Sequence, residues 1–151
     1  MTLFLWLMRL LKKENKLYVT DEIPFTRQGK DKGMEVYCVV NGVPVKMVFD
    51  TGCDGVCITS AEYSFLRKNG CINDDELMGY GYVTFANGET AKERRVLLKE
   101  VRLGALTLHN VTASITKNPN AEPLLGMGVL SKIDFYEIDN VKQVIRIRFS
   151  K

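Results

Sequence analysis

The triplet Asp50-Thr51-Gly52 constrains this chain more than any other stretch. It follows Val45-Lys46-Met47-Val48-Phe49, whose apolar, β-branched content predicts a strand, and it opens the turn Cys53-Asp54-Gly55. A carboxylate at the end of a buried apolar strand is costly unless it is solvated, paired or hydrogen-bonded, so its presence needs a reason. Catalysis is one such reason; a plain strand-ending turn is another. Gly52 lets backbone approach closely, and Thr51 offers a hydroxyl that can bond to another main chain. A calcium loop is rejected, because its third position here is Gly52 and its twelfth is Ala61. A phosphate turn of phosphatase or sugar-kinase type needs a large α/β body with alternating helices, which the sequence lacks.

Length decides how many such sites one chain can hold. With 151 residues, 46% of them hydrophobic, a single domain with its own core is expected, and two lobes do not fit. The net charge of +3 is unevenly placed: residues 1–33 carry seven Lys or Arg against four acids, and the remainder carries fourteen of each. The balanced body, with scattered basic residues, argues against a nucleic-acid module. Cys38, Cys53, Cys57 and Cys71 fit neither a disulfide framework nor a zinc site, so free thiols are expected and no metal or cofactor is assigned. A Ser-His-Asp or Cys-His mechanism would have to use His109, the one histidine, which has no catalytic signature around it and reads as a surface turn residue.

Along the chain, residues 1–18 form an apolar and basic segment: Thr2–Leu11, followed by Lys12, Lys13 and Lys16. It is too short to span a bilayer and lacks a cleavage site. Three readings stand: a membrane-surface anchor through residues 2–11, a helix packing on its own domain or a partner, or a remnant of a longer precursor. Residues 19–33 read as an extended linker, and the domain is placed at 34–151. From Met34 the period is that of sheet. Met34–Val40 and Val43–Phe49 form a hairpin about Asn41-Gly42, Val56–Thr59 is a short strand, and Ser60 caps a helix closing at Asn69-Gly70. Residues 72–76 read as a loop. Gly79-Tyr80-Gly81, with glycines flanking one large residue, suits the tip of a mobile hairpin. Asn87-Gly88 marks another hairpin turn, with strands at Ala91–Val101, Leu106–Leu108 and Val111–Ile115. Pro123–Gly126 is a short apolar strand, Met127–Ser131 starts a brief helix, and a last hairpin turns at Asp139-Asn140. The expected fold is all-β, a closed barrel or sandwich with one or two short helices.

Three elements in order carry a resemblance: the hairpin into Phe49-Asp50-Thr51-Gly52, the glycine-rich Gly79-Tyr80-Gly81, and Leu124-Leu125-Gly126-Met127-Gly128-Val129-Leu130. From about Met34 to Phe149 the chain resembles the retropepsin-type (clan AA) aspartic proteases, single-domain relatives of pepsin that act as homodimers. It looks most similar to their bacterial branch, where an N-terminal apolar segment often precedes the protease domain. That likeness implies a bacterial location in the cytoplasm or at the membrane. The sequence departs from the family at Cys53, usually alanine, and at Asp54, where pepsins tend to have serine and lentiviral members an acid.

The resemblance implies an aspartic endopeptidase with no cofactor, acting on a peptide or protein bound in extended form. Asp50 would be the catalytic carboxylate, and a homodimer would supply the second from its partner. Thr51 would hydrogen-bond across the two-fold axis, and Gly52 would line the floor. Asp54 would contact substrate backbone, Gly79, Tyr80 and Gly81 would form a flap over the peptide, and Leu125 and Gly126 would support the active-site turn. Two other functions compete: a non-catalytic peptide-binding or assembly module on the same fold, and a thiol-based redox or metal protein using Cys53 and Cys57.

Overall fold

The computed structural model describes residues 2–13 and 16–151. Met1, Glu14 and Asn15 lie outside the described residues, as do the side chains of residues 10–13, and with them the basic flank expected at Lys12 and Lys13. The chain opens with helix α1 (Leu3–Lys13), rich in Leu, Met, Arg and Lys, all good helix formers. Leu3, Phe4, Leu5, Trp6, Leu7 and Met8 are all exposed on it. Among the described residues no helix is long and apolar enough to cross a membrane.

The remaining elements are β1 (Tyr18–Pro24), β2 (Glu35–Val40), β3 (Val43–Phe49), β4 (Val56–Thr59), α2 (Ser60–Lys68), β5 (Leu77–Thr84), β6 (Thr90–Leu103), β7 (Leu106–Thr116), β8 (Leu124–Leu125), α3 (Met127–Leu130), β9 (Phe135–Asp139) and β10 (Val144–Ser150). They form a three-stranded sheet, β1-β10-β9, and a seven-stranded sheet, β2-β3-β8-β4-β7-β6-β5.

This architecture corrects the all-β, closed-barrel expectation. The fold is mixed α/β, with three α-helices among the described residues, about 16% helical, and a sheet not closed into a barrel. The extra helix is α1, whose conformation the apolar run did not decide. β2 also meets β6, at Val39↔Arg102 and Val40↔Val101, and β5 lies beyond β6 as the last strand of the sheet. A second difference lies at residues 19–33, expected as linker. Residues 18–24 pair along their whole length with β10, from Tyr18↔Ser150 to Pro24↔Val144, and bury Ile23, with Phe25 buried just beyond.

Local chemistry sets the element ends. Asn41 and Gly42, at φ 47° and 83°, make the left-handed turn that joins β2 to β3. Thr59, one residue before the expected cap, is the N-cap of α2, and it closes a capping box with Glu62. Residues 74–76, expected as loop, are a short 3-10 turn whose Glu76 caps back to the Asn73 amide and pairs with Lys99 at 2.6 Å. The two strands expected around His109 are one, β7, interrupted by Asn110 at φ 56°, a conformation that asparagine tolerates. His109 is exposed on this strand and pairs with Glu100.

Register then sorts the large sheet into two faces, because partners across a ladder share a side and successive residues alternate. Phe49, Leu125 and Val56 are partners in adjacent strands, and with Ala113 and Val96 they are buried against the core. The next row runs Val48, Leu124, Cys57, Ser114, Arg95 across five strands. Its first four members are half-buried and Arg95 is exposed. By alternation from Val48, the chain delivers Asp50 on this second face.

Candidate active site

Asp50 leaves β3 into an exposed turn. Its amide donates to the Leu125 carbonyl (3.0 Å), one carboxylate oxygen accepts from the Gly52 amide (2.9 Å), and its carbonyl accepts from the Cys53 amide (3.3 Å). The side chain is half-buried, and Thr51, Gly52, Asp54 and Gly55 are exposed. One carboxylate oxygen is therefore fixed by a backbone donor, and the group as a whole stays within reach of a ligand. A rigidly held carboxylate at a solvent-facing turn is suited to proton transfer with a bound water.

Beneath the turn lies β8. Its two residues sit between β3, which they join in parallel, and β4, which they join antiparallel, so that the turn is straddled around them. Leu125 is fully buried there. Gly126 follows, and a β-carbon on it would strike the carbonyls of Cys53 and Gly55. This is a close approach that only glycine permits. The Met127 amide then donates to the Cys53 carbonyl at 2.7 Å, tying the start of α3 to the turn. Leu125 and Gly126, singled out from the sequence as supports, lie directly against the Asp50 turn.

Gly79, Tyr80 and Gly81 lie inside β5 rather than at a hairpin tip. Tyr80 pairs with Arg94 and Gly81 with Glu93, and the tip is at residues 85–89, where Gly88 has φ 85°. Tyr80 is exposed between Lys92 and Arg94, 5.0 and 5.5 Å from its ring centre, and by register it occupies the face opposite to Gly81, Glu93 and Arg95. Sequence reasoning passed over the Asn87-Gly88 tip as a site element, although the dipeptide itself signalled the turn.

It also passed over Tyr136 of β9, whose ring meets that of Phe49 edge-on at 5.3 Å, one residue before Asp50. No local motif marks this contact, which joins residues far apart in the chain.

The four cysteines are free. Burial is the main cause that pushes the Cys53 thiol up from its usual value, the Cys57 thiol to about 11 and the Cys38 thiol to about 12. Such groups stay protonated thiols near neutrality, the reverse of what a thiolate nucleophile or metal ligand requires. The geometry thus gives the thiol-based reading no support.

A family model described as "gag-polyprotein putative aspartyl protease" matches residues 36–132, from β2 through the Asp50 turn and the β5–β6 hairpin to the end of α3. The chain belongs to this family. The protease is similar in structure to a retropepsin-like aspartic protease from Rickettsia conorii, with a TM-score of 0.65 and 24% identity over 90% of this chain and 96% of that one. It is also similar to the EIAV protease complexed with the inhibitor HBY-793, with a TM-score of 0.52 and 15% identity over 70% of this chain and 92% of that one. At these identities the likeness establishes the fold. No curated protein matches the sequence. The fold is that of the retropepsin-like aspartic proteases, and the protease is an aspartic endopeptidase that hydrolyses peptide bonds in peptide or protein substrates.

Proposed function

We propose that the protease acts as a homodimer in which the two Asp50 carboxylates meet across a two-fold axis and share one proton. Two carboxylates held that close cannot both carry a charge, so one keeps the shared proton while the other is ionised. The ionised member removes a proton from a water as that water attacks the peptide carbonyl. The protonated member stabilises the developing oxyanion and then assists departure of the amine. Thr51 and Gly52, which are exposed beside Asp50, meet the partner and the substrate in this reading, and the β5–β6 hairpin serves as the flap, closing through its tip at Asn87-Gly88.

The observation that carries this reading is the position of β9. Among the described residues it is the edge strand of its sheet, paired with β10 on one side only, and its Phe135, Tyr136 and Ile138 are all exposed. An apolar open edge invites pairing with another strand. Because Tyr136 also packs on Phe49, an isologous contact through β9 would bring two Asp50 turns toward one axis. One chain supplies only a single Asp-Thr-Gly turn, and pairing supplies the second.

Sedimentation and peptide-cleavage assays over a shared concentration series test the assembly. Specific activity is expected to rise with the dimer fraction, and Tyr136→Lys, which puts a charge on the apolar edge, is expected to shift the chain to monomer and to lower activity in parallel. Full activity at concentrations where only monomer sediments would overturn the proposal.

A further inference from the structure

The buried acids of this chain differ in one respect. Glu35 is met by Lys46, Gln28 and Thr26, and Glu76 by Lys99 and the Asn73 amide. Glu93, 6% exposed, has an oxygen with no hydrogen-bond partner, and among the described residues no cation stands at ion-pairing distance from it. A buried charge without a partner is unfavourable, so a sequence that keeps one invites the question of what completes it.

Its location answers in part. Glu93 lies on β6 two residues before Arg95, on the face that carries Cys57, Ser114, Leu124, Val48 and, at the strand end, Asp50. The proximity of Glu93 to Cys57 is also felt electrostatically, its charge being the second cause, after burial, that raises the thiol. Across the hairpin its register partner is Gly81. The neighbouring Arg95 guanidinium lies over Gly81, where a β-carbon would collide with it, and so is directed over the hairpin rather than onto the carboxylate.

We infer that Glu93 is a specificity residue, which selects peptides carrying a lysine or arginine at a position lying against the base of the β5–β6 hairpin. An extended peptide crossing the Asp50 face directs alternate side chains toward that face, and a cation entering beside Cys57 and Ser114 supplies the donors that the carboxylate lacks. A substrate offering only an apolar side chain would leave the acid unpaired, which is the stronger form of discrimination. The inference rests on the reading of the Asp50 face as the substrate face.

Digestion of a proteome-derived peptide library by the wild type and by Glu93→Gln, with cut sites identified by mass spectrometry, tests it. The wild type is expected to enrich Lys and Arg about tenfold at one position relative to the cut, and Glu93→Gln to lose that enrichment, as befits one charge-assisted hydrogen bond. Gln removes a buried charge, so the variant is expected to melt no lower than the wild type. No basic preference in the wild type, or an unchanged one in Glu93→Gln, would overturn the inference. Retention of the same library on immobilised Asp50→Asn and Asp50→Asn/Glu93→Gln repeats the comparison without turnover. Cleavage that survives Asp50→Asn would sink the role given to Asp50, and the Glu93 preference is scored separately.

Discussion

Asp50→Asn is expected to lower peptide hydrolysis by about a thousandfold or more, the scale of losing a positioned proton acceptor and, with it, the proposed dyad. Each half of the proposed pair needs the other, since one carboxylate must be ionised and the other protonated, and an amide can be neither. The fold is expected to survive. Asn keeps an oxygen to accept the Gly52 amide, now at 2.9 Å, and the Asp50 amide bond to Leu125 does not involve the side chain. Stability by chemical denaturation is therefore expected to stay within about 0.5 kcal/mol of the wild type, as for a substitution that removes no buried partner. Undiminished cleavage by purified Asp50→Asn would show that another group does the chemistry.

Gly126→Ala is expected to have the largest structural effect of any single methyl addition near the site. The new β-carbon meets the carbonyls of Cys53 and Gly55, both main-chain atoms that no rotamer change can clear. Either the Asp50 turn or the start of α3 must shift, and the bond between the Met127 amide and the Cys53 carbonyl goes with it. Overpacking against side chains costs about 1–3 kcal/mol, and collision with backbone puts this change at or above the upper end. Where the variant folds, a turn displaced by about 1 Å is expected to lose roughly a hundredfold in kcat/KM. Denaturation midpoint and kcat/KM measured together check both consequences, and a variant unaffected in either would mean that the turn does not rest on β8 as described.

Those two residues illustrate what a sequence can expose. Asp50 and Gly126 sit in short local patterns, a strand ending in an acid and a pair of leucines ending in glycine, and local patterns survive in one dimension. The hairpin at Asn41-Gly42 was legible for the same reason, since left-handed backbone at two successive residues nearly names its own residue types. Long-range geometry was not legible. That 18–24 forms a strand depends on β10, more than a hundred residues later, and its own charges make it look like linker. The contact of Tyr136 with Phe49 and the lone carboxylate of Glu93 arise from register between distant strands. Within Lys92-Glu93-Arg94-Arg95 nothing in the letters tells which charge is buried. The Gly79-Tyr80-Gly81 stretch misled about the hairpin tip because glycine permits a turn without requiring one, and here it serves close packing under Arg95.

A tethered dimer tests most directly whether each subunit gives one acid to the proposed pair. Two copies joined in a single chain, with Asp50→Asn in one half only, are compared with the unmodified tether. If the catalytic pair is made of one Asp50 from each half, a single replacement abolishes cleavage as completely as two. Retention of half the activity would mean that each Asp50 works alone, and would contradict the shared dyad.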